Sequence, residues 1–201
     1  LIKLKDILNE SISSDSVFRQ EIKDIEGDPP KDSNGNYKTF DDGFGNLTIG
    51  WGHTGKYATP GNTITKTEAE QLLTKDIDNK EKVAKNKFAK YDTFSLNVQR
   101  SIINALFRGD LGPKASALIN TDPVDWNAVA DEYLNSAEFE REKNKTMQRR
   151  TAGKLAQPDT NIYTRMTKNA DRFRKGNEKG AKHTPNIKIP GGALWLSDLT
   201  N

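Results

Sequence analysis

The residues of this chain best suited to chemistry are two carboxylates and a hydroxyl that lie close together in the sequence. Glu26 precedes Gly27, a helix-stopping residue, and Asp42 lies six residues before Thr48 in a connection rich in Gly, Asn and Asp. Hydrolysis of a glycosidic bond needs this set. One carboxylic acid protonates the leaving oxygen and a second carboxylate activates water on the opposite face of the sugar; in the inverting geometry about 6.5–9.5 Å separates them. On that reading Glu26 and Asp42 are candidates for the acid and the base. Each residue alone has a plainer use: Glu26 at the surface of a helix end, Asp42 capping a turn, Thr48 in a strand. Fifteen residues separate Glu26 from Asp42, among them DPPKDSNGNY, so Asp41 and Asp32 stand as rival partners.

The elements that must position these groups are legible in outline. After the cap-rich Ser13-Ser14-Asp15-Ser16, a helix over 17–26 carries Phe18, Ile22 and Ile25 at core spacing and ends on Glu26. From Asp28 to Gly61 the composition shifts to Gly, Pro, Asn and aromatics, which predicts a small antiparallel sheet with turns at Asn34-Gly35 and around 43–46. Residues 48–53 (TIGWGH) read as one strand whose glycines admit a close backbone or ligand. Thr65 and Glu68 form a capping box opening a helix over 65–91, with Ala69, Leu72, Leu73, Ile77, Val83, Ala84 and Phe88 as its stripe. A buried helix follows over 96–107. Asp122-Pro123 caps a helix over 124–134 with core residues Trp126, Val129, Ala130 and Tyr133. A charged, solvated helix is expected over 138–154, and a closing helix capped at Thr160 turns Ile162, Met166, Ala170 and Phe173 inward. Residues 1–12 read as a short packing helix and 177–201 as an aperiodic tail.

Composition bounds the partners. The 201 residues are 33% hydrophobic and 29% charged, with a mean hydropathy of −0.82, which fits charged surface helices around a real core. No apolar run approaches the ~20 residues of a membrane span, and no signal peptide is legible at Leu1. Absence of cysteine excludes disulfides and thiolate metal sites, and the two histidines, His53 and His183, lack metal-ligand spacing. We therefore expect no metal and no cofactor. The net charge of +3 suits an anionic cell wall, whereas interspersed acids and bases argue against nucleic acid. A monomer without stable membrane insertion is expected.

The ordered pattern E-G … D-x-x-G-x-x-T-I-G-x-G-H, running from Glu26 to His53, resembles the phage-type lysozymes, the T-even phage lysozyme family of muramidases. The segment ITKTEAEQLLTKDID (64–78) resembles that family's inter-lobe helix, and the likeness extends over roughly 16–176. It implies an α+β lysozyme-like fold: a small β lobe (28–64) and a larger helical lobe (92–176, with helix 16–26), joined by the helix 65–91 with the cleft between lobes. Residues 1–176 would then form the catalytic domain and 177–201 a tail. The resemblance also implies an inverting cut at the β-1,4 bond between N-acetylmuramic acid and N-acetylglucosamine of peptidoglycan. Glu26 would be general acid, and Asp42 with Thr48 would activate the water. Arg165 would approach Glu26, with Lys168 one turn on and the Arg149-Arg150 pair as the alternative. His53 and Asp76 would form a bracing ion pair, and Asn104, Phe107 and Arg108 would touch sugar. Two departures stand out: Arg108 occupies a position where relatives carry Asn or Gln, and the Glu26–Asp42 spacing is several residues longer than usual.

Three function classes follow. The first is an active muramidase, an endolysin or the lytic domain of a phage tail or bacteriocin. The second is a catalytically silent peptidoglycan-binding module, and the third a glycosidase for another N-acetylhexosamine polymer. Asp42 weighs against a lytic transglycosylase, which needs no water-activating base. An endolysin would reach the wall from the host cytoplasm through a separate membrane-permeabilising partner; a tail domain would arrive with the particle.

Overall fold

A computed structural model describes residues 11–43, 45–152 and 161–177. The elements are α1 (Ser16–Glu26), β1 (Tyr37–Lys38), β2 (Phe40–Asp41), β3 (Leu47–Thr48), β4 (Thr63–Ile64), α2 (Lys66–Lys87), α3 (Leu96–Arg108), α4 (Pro113–Ile119), α5 (Trp126–Leu134), α6 (Ala137–Thr151) and α7 (Ile162–Arg174). This is an α+β, lysozyme-like fold: a small β region precedes a long helix, and a group of helices follows.

Local chemistry sets most boundaries. Asp15 caps α1 by accepting hydrogen bonds from the Val17 and Phe18 amides, and Gly27, at φ +78°, stops the helix so that Glu26 is its last residue. Phe18 and Ile22 are fully buried, and Glu21 shares their face. The Thr65–Glu68 capping box opens α2 as expected, but the helix ends at Lys87 rather than 91, with Phe88 as its cap and a 3-10 turn over Tyr91–Thr93. Its buried stripe passes through Ile77, Glu81 and Ala84. Val83 is 48% exposed, because six residues on from Ile77 it has turned about 120° away at 3.6 residues per turn.

The β region is two separate two-stranded antiparallel ladders. β1 pairs with β4, Tyr37 opposite Ile64, and β2 pairs with β3, Phe40 opposite Thr48 and Asp41 opposite Leu47. The stretch 28–37 folds back on itself. Lys31 bridges to Tyr37, and the Asp32 carboxylate gathers the amides of Asn34 and Asn36 and the Asn36 side-chain amide around the Asn34-Gly35 turn.

The expected strand over 48–53 is corrected: only Thr48 is in a strand, and Ile49 and His53 exchange both backbone hydrogen bonds around a tight turn. Gly50 and Gly52 take φ of +59° and +85° there, which curls the chain where branched residues would have kept it extended.

In the helical part, α7 packs most extensively against α5 and α3. Phe173 stacks on Trp126 with ring centroids 6.1 Å apart and meets Tyr133 edge-on at 5.7 Å. Two caps differ from expectation. Asp125 rather than Asp122 caps α5, because its carboxylate reaches the Asn127 and Ala128 amides. Asn161 caps α7 through the Thr164 amide, Thr160 lying outside the described residues. The expected helix over 1–12 and the tail after 177 also fall almost wholly outside them.

Candidate active site

Glu26 projects from the C-terminal end of α1, and two distant parts of the chain meet it. The first is the Gly-turn: a Cβ built on Gly52 would stand 3.4 Å from Glu26 Oε2 and 3.6 Å from its Cδ, so the backbone lies directly against the carboxylate. The second is α7, which brings Arg165 Nη1 to 3.8 Å from Glu26 Oε1. Arg165 is only 8% exposed. Burial draws its guanidinium below the ordinary value, opposed by the carboxylates of Glu26 and Asp110; it stays charged, since no protein environment strips a guanidinium.

The position of α1 is itself held by charge. Arg19 Nη2 lies 2.7 Å from Glu70 Oε2 on α2, and Lys23 reaches the other oxygen of the same carboxylate. On the opposite side the Glu21 carboxylate takes both Nη atoms of Arg172, at 2.8 and 2.6 Å, and Lys168 Nζ at 2.9 Å. Burial pushes the Glu21 carboxyl up, but Arg172 and Lys168 outweigh it and hold the group below the usual carboxylate range.

The hairpin of β2 and β3 carries the other candidates. Asp41 and Leu47 are opposite one another, and the ladder runs on through the Asp42 amide, which donates to Asn46 O at 3.1 Å. Side chains alternate along a strand, so Asp42 shares the face of Phe40 and Thr48 while Asp41 lies on the other. Asp41 is occupied as a turn cap, accepting from the Gly43 and Gly45 amides. Asp42, exposed at the hairpin tip, accepts from the backbone and side-chain nitrogens of Asn46. Thr48 is buried below it.

His53 Nδ1 lies 2.9 and 3.1 Å from the two Asp76 carboxylate oxygens, tying the Gly-turn to α2. Asn104, expected to touch sugar, is fully buried, and its Oδ1 accepts from Arg165 Nε at 2.6 Å while its Nδ2 faces Glu21 Oε1 at 3.4 Å. Phe107 is half-buried, with Lys80 Nζ 6.0 Å from its ring. The Arg108 guanidinium is committed to Asp110, at 2.9 Å, and to Glu138. Burial lowers Arg108, and those two acids more than restore it.

Sequence reasoning missed Glu21, Asp110, Tyr133 as a hydrogen-bonding group, and Asn169. The one available signal was a polar residue within a buried stripe, such as Glu21 beside Phe18 and Ile22. A recess of about 590 Å³ lies between α1 and α7 and is lined by Arg165 and Glu21 but not by Glu26 or Asp42. Among the described residues no group of His, Cys, Asp and Glu has the makeup of a metal site, and no helix is long and apolar enough to cross a membrane.

Residues 31–152 match the family model described as phage lysozyme. The chain belongs to the phage lysozyme family. Within the matched span lie Asp42, Thr48, His53, Asp76, Asn104, Phe107 and Arg108; Glu26 and Arg165 fall outside it and join the site through the fold. The chain is also 49% identical over 41 residues to the SAR-endolysins of Bacteriophage PS34 and Bacteriophage PS119. That likeness covers 20% of this chain and a quarter of the length of each of those relatives.

Proposed function

We propose that this chain is a peptidoglycan-degrading muramidase that hydrolyses the β-1,4 bond between N-acetylmuramic acid and N-acetylglucosamine. The observation that carries the reading is the convergence on Glu26 of the Gly52 turn and Arg165, from opposite ends of the sequence. In this reading Glu26 donates its proton to the leaving oxygen, and Asp42, with Thr48 on the same hairpin face, orients and deprotonates the attacking water. Attack opposite the leaving group inverts the sugar. Arg165 holds Glu26 in place, and the His53–Asp76 pair braces the turn that backs it. Residues 28–64 act as a β lobe, α2 as the inter-lobe helix and 92–176 with α1 as the helical lobe, the glycan lying between them; Phe107 offers it an apolar surface.

The enzyme would work as a monomer on glycan strands in the bacterial envelope, independent of nucleic acid. It would be either an endolysin that crosses after membrane permeabilisation or a lytic domain carried by a phage particle. The test is digestion of purified peptidoglycan by the wild type, Glu26→Gln and Asp42→Asn. We expect saturated muropeptides with new reducing ends from the wild type and a loss of about 10²–10⁴-fold in each folded variant. Anhydro-ended products would overturn the hydrolytic mechanism. Binding without turnover would leave a silent wall-binding module, and cleavage of chitin alone a different glycosidase.

A further inference from the structure

Behind Arg165 a line of buried hydrogen bonds runs through the helical part of the molecule to Asp110. Asn104 Oδ1, which accepts from Arg165 Nε, also accepts from Asn169 Nδ2 at 3.1 Å. The same Asn169 nitrogen donates to the Tyr133 oxygen at 3.2 Å, and the Tyr133 hydroxyl donates to Asp110 Oδ1 at 3.0 Å. Asn104 and Asn169 are at most 1% exposed and Tyr133 3%.

Each interior member of this line could in principle face either way, since an amide and a phenol both donate and accept. The ends cannot. A carboxylate only accepts and a guanidinium only donates. With Asp110 as acceptor, Tyr133 must spend its proton there and offer a lone pair to Asn169. The Asn169 amide must then turn its NH₂ toward Tyr133 and Asn104, so Asn104 presents oxygen to Arg165 and nitrogen to Glu21. Only one polarity satisfies every contact. Its mark is Asn169 Oδ1, buried and without a hydrogen-bond partner among the described residues: with both NH₂ hydrogens donated to Asn104 and Tyr133, the amide cannot flip to bring that oxygen to either. Burial and the neighbouring Asp110 charge both keep the proton on Tyr133.

We propose that Tyr133 and Asn169 are positioning residues for the Glu26 site: anchored on Asp110, they fix the orientation of Asn104 and through it hold Arg165 beside Glu26. The effect on turnover rests on the muramidase reading; the placement of Arg165 does not.

The experiment separates the two. In ¹⁵N-labelled wild type, Tyr133→Phe and Asn169→Leu, hydrogen exchange at Arg165 Nε–H is followed by NMR, with Arg165→Lys assigning the signal. Turnover and KM on soluble peptidoglycan fragments are measured alongside, with melting temperature as the control. Asn169→Leu keeps bulk and removes both its donors and its orphaned oxygen, so a folded variant is available even if Tyr133→Phe is unstable. The expected result is exchange at least about tenfold faster in the variants, with kcat lowered and KM little changed. Adding Tyr133→Phe to Arg165→Lys should then have no further effect on kcat. Unchanged Arg165 protection in both variants, or kcat losses that simply multiply in the double variant, would overturn the proposal whatever happens to melting temperature. If the wild type is inert on peptidoglycan yet protection is lost in the variants, the positioning stands and the muramidase reading falls.

Discussion

Arg165 is 3.8 Å from Glu26, beyond hydrogen-bonding distance, while its Nε and Nη2 are bonded to Asn104. The cation is thus held by a neutral amide and offers Glu26 charge without capturing its oxygens, which suits the proton-donating role proposed for that carboxyl. The rival carboxylates are distinguishable at this scale. Asp41 lies on the hairpin face opposite to Thr48 and Asp32 sits in the separate Asn34-Gly35 turn, so Asp32→Asn and Asp41→Asn should retain peptidoglycan cleavage that Asp42→Asn loses. Cleavage lost in Asp41→Asn but kept in Asp42→Asn would reassign the base. Gly52 gives a second residue-scale prediction. Alanine there would meet Glu26 Oε2 at 3.4 Å from a backbone at φ +85°, a conformation that costs an L-residue about 1–2 kcal/mol. Gly52→Ala should therefore melt a few degrees lower and lose more activity than that shift explains, as paired calorimetry and digestion assays would reveal.

At the scale of elements, Glu26 stands where the end of α1, the curled turn and α7 meet. The His53–Asp76 bond joins the turn to α2 without touching Glu26. Asp76→Asn is expected to cost about 1–3 kcal/mol in a urea melt, as for a hydrogen bond to a charged group, while the folded variant keeps its turnover. Several of these arrangements were readable in the sequence because their signals are local. Glu26 before Gly27, the Thr65–Glu68 box and the apolar faces of α1, α3 and α7 each lie within a few residues. The curl at 49–53 was not, because β-favouring Thr48, Ile49 and Trp51 outvoted two glycines whose positive φ is set by what they pack against. The buried polar line was hidden more deeply. Asn104, Tyr133 and Asn169 occupy apolar stripes of three different helices, and their partners along the line stand 23 to 65 positions away; nothing in the spacing of one helix announces a donor on another.

For the molecule as a whole, Glu21 is the electrostatic keystone, joining the helix that carries Glu26 to the helix that carries Arg165. Its carboxyl is held below the ordinary value of 4.5 by Arg172 and Lys168 despite burial. The associated stability is therefore fully present above that value and is lost as pH falls through the lower folded one. Wild type should lose stability on acidification below about pH 4. Glu21→Gln, which leaves the half-buried Arg172 without its anion, should be less stable already at pH 7, by up to about 3 kcal/mol, and show a shallower acid slope; equal slopes in denaturant titrations would refute the assignment. The same pair also carries a clock. Glu21 and Arg172 are 151 positions apart, which at ~5–20 residues per second of synthesis is roughly 8–30 s. Throughout that interval a nascent chain holds α1 with no α7 to receive it, so the Glu21 carboxylate lacks Arg172 and Lys168 and Glu26 lacks the Arg165 guanidinium. The contacts that frame Glu26 are completed only once α7 has been synthesised.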